Sequence, residues 1–115
     1  MRELLFEKLR EQNCDVEGAL ARFLDDEELY VQFYKELLND NLFTELGLAI
    51  NERRIGDAFD YAHTLKGVIG NMGITPMYET ICDIVEPLRI GSTEGVSQKY
   101  DELLVQKIFF SQFID

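Results

Sequence analysis

Apolar residues recur at the spacing of an α-helix along most of this chain, and this periodicity restricts the fold more than any other feature of the sequence. The clearest segment is residues 55–72, whose apolar positions are Ile55, Ala58, Phe59, Ala62, Leu65, Ile69 and Met72. Alternation of apolar and polar residues between turn residues, which is typical of strands, does not occur. The periodicity therefore predicts an all-α protein.

The first half of the chain contains signals for two short helices and one longer segment. Residues 4–9 have the apolar spacing of a short helix, and Asp15 is placed to N-cap a second one. "LDDEE" then opens a longer helical segment, which "NDN" at residues 39–41 either bends or divides into two helices. Because the stretch "NERRIGD" is polar and contains Gly56, we expect it to hold a tight helix-to-helix connection.

The second half of the chain has clear helix boundaries. Gly73 is a natural stop for the helix over residues 55–72, Thr75 is a possible N-cap, and Pro76 then takes the first helical position of the next helix. We expect Pro87 to kink the last turn of that helix, before "RIGSTEG" forms a loop. A final helix is predicted from about Ser97, with Tyr100, Leu103, Leu104 and Ile108 among its apolar residues.

Four long helices with short connections predict an antiparallel four-helix bundle within a single domain over residues 1–115. We expect the bundle to span about residues 25–113 and the N-terminal helices, about residues 1–24, to cover one of its ends. A chain of 115 residues with 46% hydrophobic residues can bury one core without metal or disulfide support.

The net charge of −11 disfavours nucleic acid and anionic membrane surfaces as partners, because phosphates attract proteins that offer Lys and Arg. Only Cys14 and Cys82 are present, far apart and without metal-ligand spacing, so we expect two reduced thiols, no metal site and no disulfide framework. The N-terminal segment alternates charged and apolar residues, unlike a signal peptide, and no segment reaches transmembrane length. We therefore expect a cytoplasmic protein.

The only histidine, His63, lies in "AHTLKGVIGNMG" at residues 62–73. At about 100° per residue, its direction is about 120° from the centre of the apolar stripe, so we expect it to face solvent. Gly67 and Gly70 point close to the same direction, so the surface beside the imidazole should be nearly bare. Each glycine inside a helix costs about 1 kcal/mol relative to alanine. Two on one solvent face indicate that another protein approaches the helix there.

Lys66 follows His63 by three residues, so its ammonium group can reach an anion attached to the imidazole. A neutral imidazole is a competent nucleophile at neutral pH, and a nearby cation stabilises a transferred phosphoryl group. The residues taken singly also allow other interpretations. A lone surface histidine often has no special role, Gly70 and Gly73 suit a helix crossing or a fraying end equally well, and Asn71 suits an ordinary helix terminus.

The segment "AHTLKGVIGNMG" resembles the signature of histidine-containing phosphotransfer (HPt) domains, in which A-H-x-L-K-G is followed by a small residue, Asn and Gly. The resemblance extends to "GALARFLDDEELY" and "GITPMYETICDIVEPLR" and covers roughly residues 14–110. Pro87 and the N-terminal "MRELLFEK" depart from the family pattern. Members of this family are four-helix bundles that carry phosphoryl groups on the histidine between aspartates of receiver domains.

The resemblance implies a role for each residue of the motif. His63 is the phosphoryl acceptor, Lys66 the cation that stabilises the phosphate, and Gly67 the residue that gives a docking receiver clearance. The implied docking surface further includes Phe59, Asp60, Thr64, Gly70 and Asn71. The chain lacks a kinase ATP-binding region and a receiver's acidic pocket, so we expect a carrier without kinase activity or a cofactor of its own. Magnesium is supplied by the partners, which are receiver domains of response regulators or hybrid histidine kinases.

Two functions of other classes are also considered. The glycines from Gly70 to Gly73 have the GxxG spacing of a KH-type RNA-binding loop, but this loop lacks a basic residue and the net charge of −11 has the wrong sign for RNA. A non-catalytic helical adaptor would use the glycines only to admit a partner, and His63 would then be incidental. The presence or absence of acid-labile, alkali-stable phosphate on the chain separates the carrier from the adaptor.

Overall fold

Seven helices make up the secondary structure of residues 2–114, the part of the chain that the computed structural model describes. They are α1 (Arg2–Glu11), α2 (Val16–Arg22), α3 (Glu27–Leu38), α4 (Leu42–Asn51), α5 (Ile55–Met72), α6 (Thr75–Arg89) and α7 (Val96–Ser111). No strand occurs within residues 2–114, so the predicted all-α class is confirmed. The first and last residues of the predicted domain, Met1 and Asp115, lie outside the described residues.

Aspartate side chains N-cap two helices in the first part of the chain. The Asp15 carboxylate accepts a hydrogen bond from the Gly18 N–H at 3.1 Å and caps α2, as predicted. Asp26 caps α3 in the same way by accepting from the Leu29 N–H at 3.0 Å. Residues 39–41 divide the longer segment, so α3 and α4 are two separate helices.

The helix that contains the histidine motif has the bounds that the periodicity predicted. α5 ends at Gly73, whose φ of 71° lies in the left-handed region that favours glycine. The start of α2 packs closely against the same glycine, and the Asp15 N–H donates a hydrogen bond to the Gly73 carbonyl at 2.9 Å. A Cβ atom at position 73 would collide with the Asp15 backbone. Gly73 therefore both ends α5 and lets the start of α2 pack against that end.

The stretch "NERRIGD" holds the predicted connection, and the predicted start of α6 differs by one residue. Gly56 lies in the first turn of α5, and the connection before it is residues 52–54. The left-handed residue of this connection is Arg53, with φ 57°, so a residue other than glycine makes the turn. Thr75 is the first residue of α6 and not its N-cap, which is Ile74, and Pro76 takes the second position. The first N–H groups of a helix have no intrahelical acceptor, so Pro76 is tolerated there as well.

The predicted apolar faces are mostly buried, but three residues with the helical spacing of a core face, Leu4, Phe33 and Ile108, are exposed. The core face of α6, residues 77–88, is buried at every predicted position. On α7, Leu103 is buried, whereas Ile108 is 61% exposed. Ile108 has the helical spacing of a core residue but lies on the solvent side of its helix. α6 remains helical through Pro87 and ends at Arg89, and a kink at Pro87 stays a prediction.

The helices pack in a cyclic order around one core. α5 packs against α4 and α6, α6 packs against α7, and α7 returns to α3 and α4. α2 packs against α5, and α1 contacts α2 and α3. The molecule measures 41 × 24 × 22 Å, so it is elongated in one direction. None of the helices within residues 2–114 is long and apolar enough to cross a membrane.

Candidate functional site

His63 lies on the exposed side of α5, as its position on the helical wheel predicted. The apolar residues on the opposite side of α5 are fully or almost fully buried, so they fix the helix against the core. These residues are Ala58, Ala62, Leu65, Ile69 and Met72. Their burial fixes the rotation of the helix about its axis, and this rotation directs the histidine outward.

An open cleft of about 480 Å³ runs along this side of α5 towards its C-terminal end. It is lined by Asp15, Arg22, His63, Lys66, Gly67, Gly70, Asn71, Gly73, Thr75 and Tyr78. The structure therefore brings together five of the predicted site residues, namely His63, Lys66, Gly67, Gly70 and Asn71. The other lining residues come from α2, α6 and the connections next to them.

Two cations line the cleft of a protein that is otherwise strongly acidic. Lys66 is partly buried and belongs to the same helix as His63, whereas Arg22 reaches the cleft from α2. Side chains on a helix lean towards its N-terminus, so Lys66 leans towards the turn that contains His63. The one carboxylate in the lining, Asp15, already accepts the Gly18 N–H as the cap of α2. The cleft can therefore attract an anion despite a net charge of −11.

The two glycines next to His63 have different surroundings. No atom lies within 4 Å of the position that a Cβ would take at Gly67, so the surface there is open. At Gly70, a Cβ would lie 3.0 Å from Cε1 of the Tyr78 ring. The expectation of a nearly bare surface is therefore right at Gly67 and wrong at Gly70. The small size of Gly70 leaves room for an aromatic side chain of α6.

Arg22 binds the free backbone carbonyls at the C-terminal end of α5. Its Nε donates to the Asn71 carbonyl at 3.1 Å, and its Nη2 donates to the Gly70 carbonyl at 3.0 Å. The last carbonyls of a helix lack intrahelical donors, and the negative end of the helix dipole favours a cation at this place. Neither Arg22 nor Tyr78 was identified from the sequence. No local spacing relates them to His63, because they are brought to it only by the packing of α2 and α6.

The three remaining predicted residues, Phe59, Asp60 and Thr64, do not line the cleft. Phe59 contacts the histidine directly: the two rings are stacked with their centroids 5.5 Å apart and an angle of 25° between their planes. The Thr64 hydroxyl donates to the Asp60 carbonyl at 3.0 Å, within α5, and both residues are exposed. Asp60 and Thr64 are therefore exposed on α5 outside the cleft, and their contact with a partner stays a prediction.

Within residues 2–114, no group of three or more His, Cys, Asp and Glu residues is arranged to hold a metal ion. Both thiols are free, with Cys14 buried and Cys82 partly buried. Burial raises the pKa of the Cys14 thiol to about 11, so this cysteine stays protonated at neutral pH. Among the residues that line the cleft, His63 carries an imidazole, a side chain that can form covalent intermediates as a nucleophile.

In comparisons with known proteins, no family model matches this chain, and neither a curated protein nor a solved structure matches it.

Proposed function

We propose that this chain is a phosphoryl carrier of a two-component phosphorelay. His63 accepts a phosphoryl group from an aspartate of one receiver domain and passes it to an aspartate of another. One observation carries the proposal: His63 and Lys66 line one open cleft, beside a glycine whose missing side chain leaves free space. This arrangement gives a nucleophile, a cation for the transferred group and room for a second protein to approach.

The proposed step is the transfer of one phosphoryl group between an acyl phosphate and an imidazole. The lone pair of the unprotonated ring nitrogen of His63 forms a P–N bond while the P–O bond to the aspartate breaks. The aspartate leaves as a carboxylate and takes the electron pair of that bond, and the proton on the other ring nitrogen is then released to solvent. In the reverse step the unphosphorylated ring nitrogen first regains a proton from solvent. A receiver carboxylate then attacks the phosphorus while the P–N bond breaks, and the imidazole leaves as a neutral ring with the electron pair of that bond.

Each neighbour of His63 has a part in this step. Lys66 offsets the charge of the phosphoryl oxygens, and the open surface at Gly67 lets the receiver bring its aspartate into line with the imidazole. The receiver supplies the magnesium ion, and the chain itself uses no ATP. In this proposal the carrier works in the cytoplasm and docks receivers through the surface around Gly67, including Phe59 and Asn71.

The HPt-like motif and the order of helix contacts support a four-helix bundle as the architecture of this carrier. α3 and α4 together would form the first helix of the bundle, with α5, α6 and α7 as the other three. Each of these four units contacts the next, and the last returns to the first. In this interpretation α1 and α2 are the N-terminal cover, and α2 also contributes Arg22 to the cleft.

Mixing the purified protein with radiolabelled phosphorylated receivers encoded by the same genome tests the proposal. We expect acid-labile, alkali-stable phosphate on the wild type and none on His63→Gln. Because His63 is exposed, this substitution should leave helicity and melting temperature nearly unchanged. Thr44→Ala is the control, since Thr44 is an exposed residue of α4 that neither lines the cleft nor belongs to the implied docking surface.

Undiminished labelling of His63→Gln would show that another residue carries the phosphate. A wild-type protein that binds receivers without ever acquiring phosphate would instead be an adaptor. The KH-type alternative gains no support from the structure, because residues 2–114 contain no strand and Gly70 to Met72 form the last turn of α5.

A further inference from the structure

The imidazole of His63 is in contact with an aromatic ring. Phe59 precedes it by one helical turn, and the two rings lie nearly parallel, with 5.5 Å between centroids and 25° between planes. Side chains on a helix lean towards its N-terminus, so a residue at position 63 naturally lies over the residue at position 59. The stack therefore follows from the register of the two residues on α5 and from the aromatic identity of both.

Arg89, near the end of α6, contacts the same phenylalanine. Its guanidinium carbon lies 5.3 Å from the centroid of the Phe59 ring, a distance typical of a cation–π contact. The Arg89 Nε is in turn 3.3 Å from the Glu86 carboxylate, one turn earlier on α6. Phe59 is itself partly buried and packed against the core. The ring that touches His63 is therefore held from its own helix, from the core and from α6.

We propose that Phe59 is a positioning residue that holds the His63 imidazole in one orientation, and that Arg89 acts through Phe59 to keep that ring in place. The proposal rests on the phosphoryl-carrier function argued above and names two residues that the transfer step itself does not require.

The chemical reason lies in the geometry of phosphoryl transfer. The lone pair of the attacking nitrogen, the phosphorus and the leaving oxygen must be nearly in line, and reaction is fast only from such a conformer. An unrestrained histidine on a helix surface samples more than one χ1 rotamer and both orientations about χ2. Stacking on Phe59 removes most of these states before a receiver arrives. The gain should appear in the rate of transfer within the complex, which is separated from any contribution of Phe59 to docking when the receiver is saturating.

Three variants separate this role from simple packing. Phe59→Leu keeps an apolar side chain against the core but removes the aromatic ring. Phe59→Tyr restores the ring. Arg89→Gln leaves Phe59 unchanged and removes a cation whose side chain is 46% exposed, so it should barely affect stability.

The first measurement is the NMR spectrum of the His63 imidazole, which does not depend on phosphorylation. In the wild type, the ring current of Phe59 should shift the imidazole C–H resonances upfield. They should move to the positions of an unstacked histidine in Phe59→Leu and return in Phe59→Tyr. The second measurement is single-turnover transfer from a phosphorylated receiver at saturating concentration. We expect Phe59→Leu to slow this step about three- to ten-fold, Arg89→Gln to slow it less, and Phe59→Tyr to restore it.

Imidazole resonances that are identical in the wild type and Phe59→Leu would overturn the proposal, because no ring would then hold the histidine. A lost stack with an unchanged transfer rate would also overturn it, and so would a Phe59→Tyr variant that regains the stack but not the rate. If even the wild type takes up no phosphate, the phosphoryl-carrier function fails separately. The NMR arm would then decide on its own whether Phe59 orients the histidine.

Discussion

Gly67 provides the strongest test of the site, because substitutions there should separate folding from function. Gly67 lies in the middle of α5 and is exposed to solvent, and no atom lies within 4 Å of a Cβ built on it. Gly67→Ala should therefore introduce no clash and should gain helix propensity. We expect the free energy of unfolding to rise by about 0.5–1 kcal/mol, which corresponds to an increase in melting temperature of about 2–4 °C.

A larger side chain at the same position should block the partner without unfolding the protein. A leucine at position 67 would lean towards the helix N-terminus and therefore over the turn that contains His63. A receiver held back by about 1 Å loses about 100-fold in transfer rate, because the reacting atoms no longer align. We expect Gly67→Leu and Gly67→Glu to fold normally and to lose transfer by at least this factor. Transfer rate and thermal unfolding should be measured on the same samples.

Gly56 offers a matched control on the same helix. A Cβ at Gly56 also meets no atom within 4 Å, but this residue lies 11 positions earlier, or about 16 Å along the axis. A leucine there would lean away from His63. Gly56→Leu should therefore keep normal transfer. Equal losses in both leucine variants would refute a local clearance at Gly67, and a steep fall in the melting temperature of Gly67→Leu would show that this face packs against the core.

Two further predictions concern Lys66 and Cys14. Lys66→Ala should slow transfer or shorten the lifetime of phosphohistidine, because it removes the cation and keeps the nucleophile. Lys66→Arg should retain most of the transfer rate and of the phosphohistidine lifetime. The lifetime is measured from the decay of the labelled protein, and equal lifetimes in the wild type and both variants would mean that Lys66 is only a solvated residue. Because burial raises the pKa of Cys14 to about 11 and an unfolded thiol ionises near about 8.5, its contribution to stability is fully present below that pH and is lost as the pH rises through 11. After allowance for solvent screening, we expect the free energy of unfolding of the wild type to fall by about 1 kcal/mol between pH 8 and pH 10 because of this thiol. Urea unfolding of the wild type and of Cys14→Ala at both pH values measures this fall, which the variant should lack. The same pH dependence in both proteins would contradict the prediction.

Local signals in the sequence predicted the helix that holds the site. The apolar period defined α5 from residue 55 to residue 72, and Gly73 marked its end. The same period predicted the exposure of His63 and Gly67. These features depend on the side chains of neighbouring residues and on the left-handed φ that glycine adopts easily, so they can be deduced without knowledge of the other helices.

Predictions at the ends of helices were less accurate. The stretch around Gly56 holds the predicted connection, but its left-handed residue is Arg53, whose φ of 57° is unusual for a residue with a Cβ. The start of α6 was misplaced by one residue, because Thr75 can either cap a helix or begin one. At such positions several local conformations have similar free energies, and the packing of the adjacent helices selects among them.

The sequence by itself determined that a histidine, a lysine and an open glycine share one exposed face of one helix. Only the tertiary structure decided what surrounds them: Arg22 at the end of α5, Tyr78 over Gly70, and Arg89 against the ring that stacks on His63. These residues lie on α2 and α6 and meet the histidine helix only after the core has formed. The spacing of residues along one helix follows from helical geometry, whereas contacts between helices depend on how all the apolar faces are buried together.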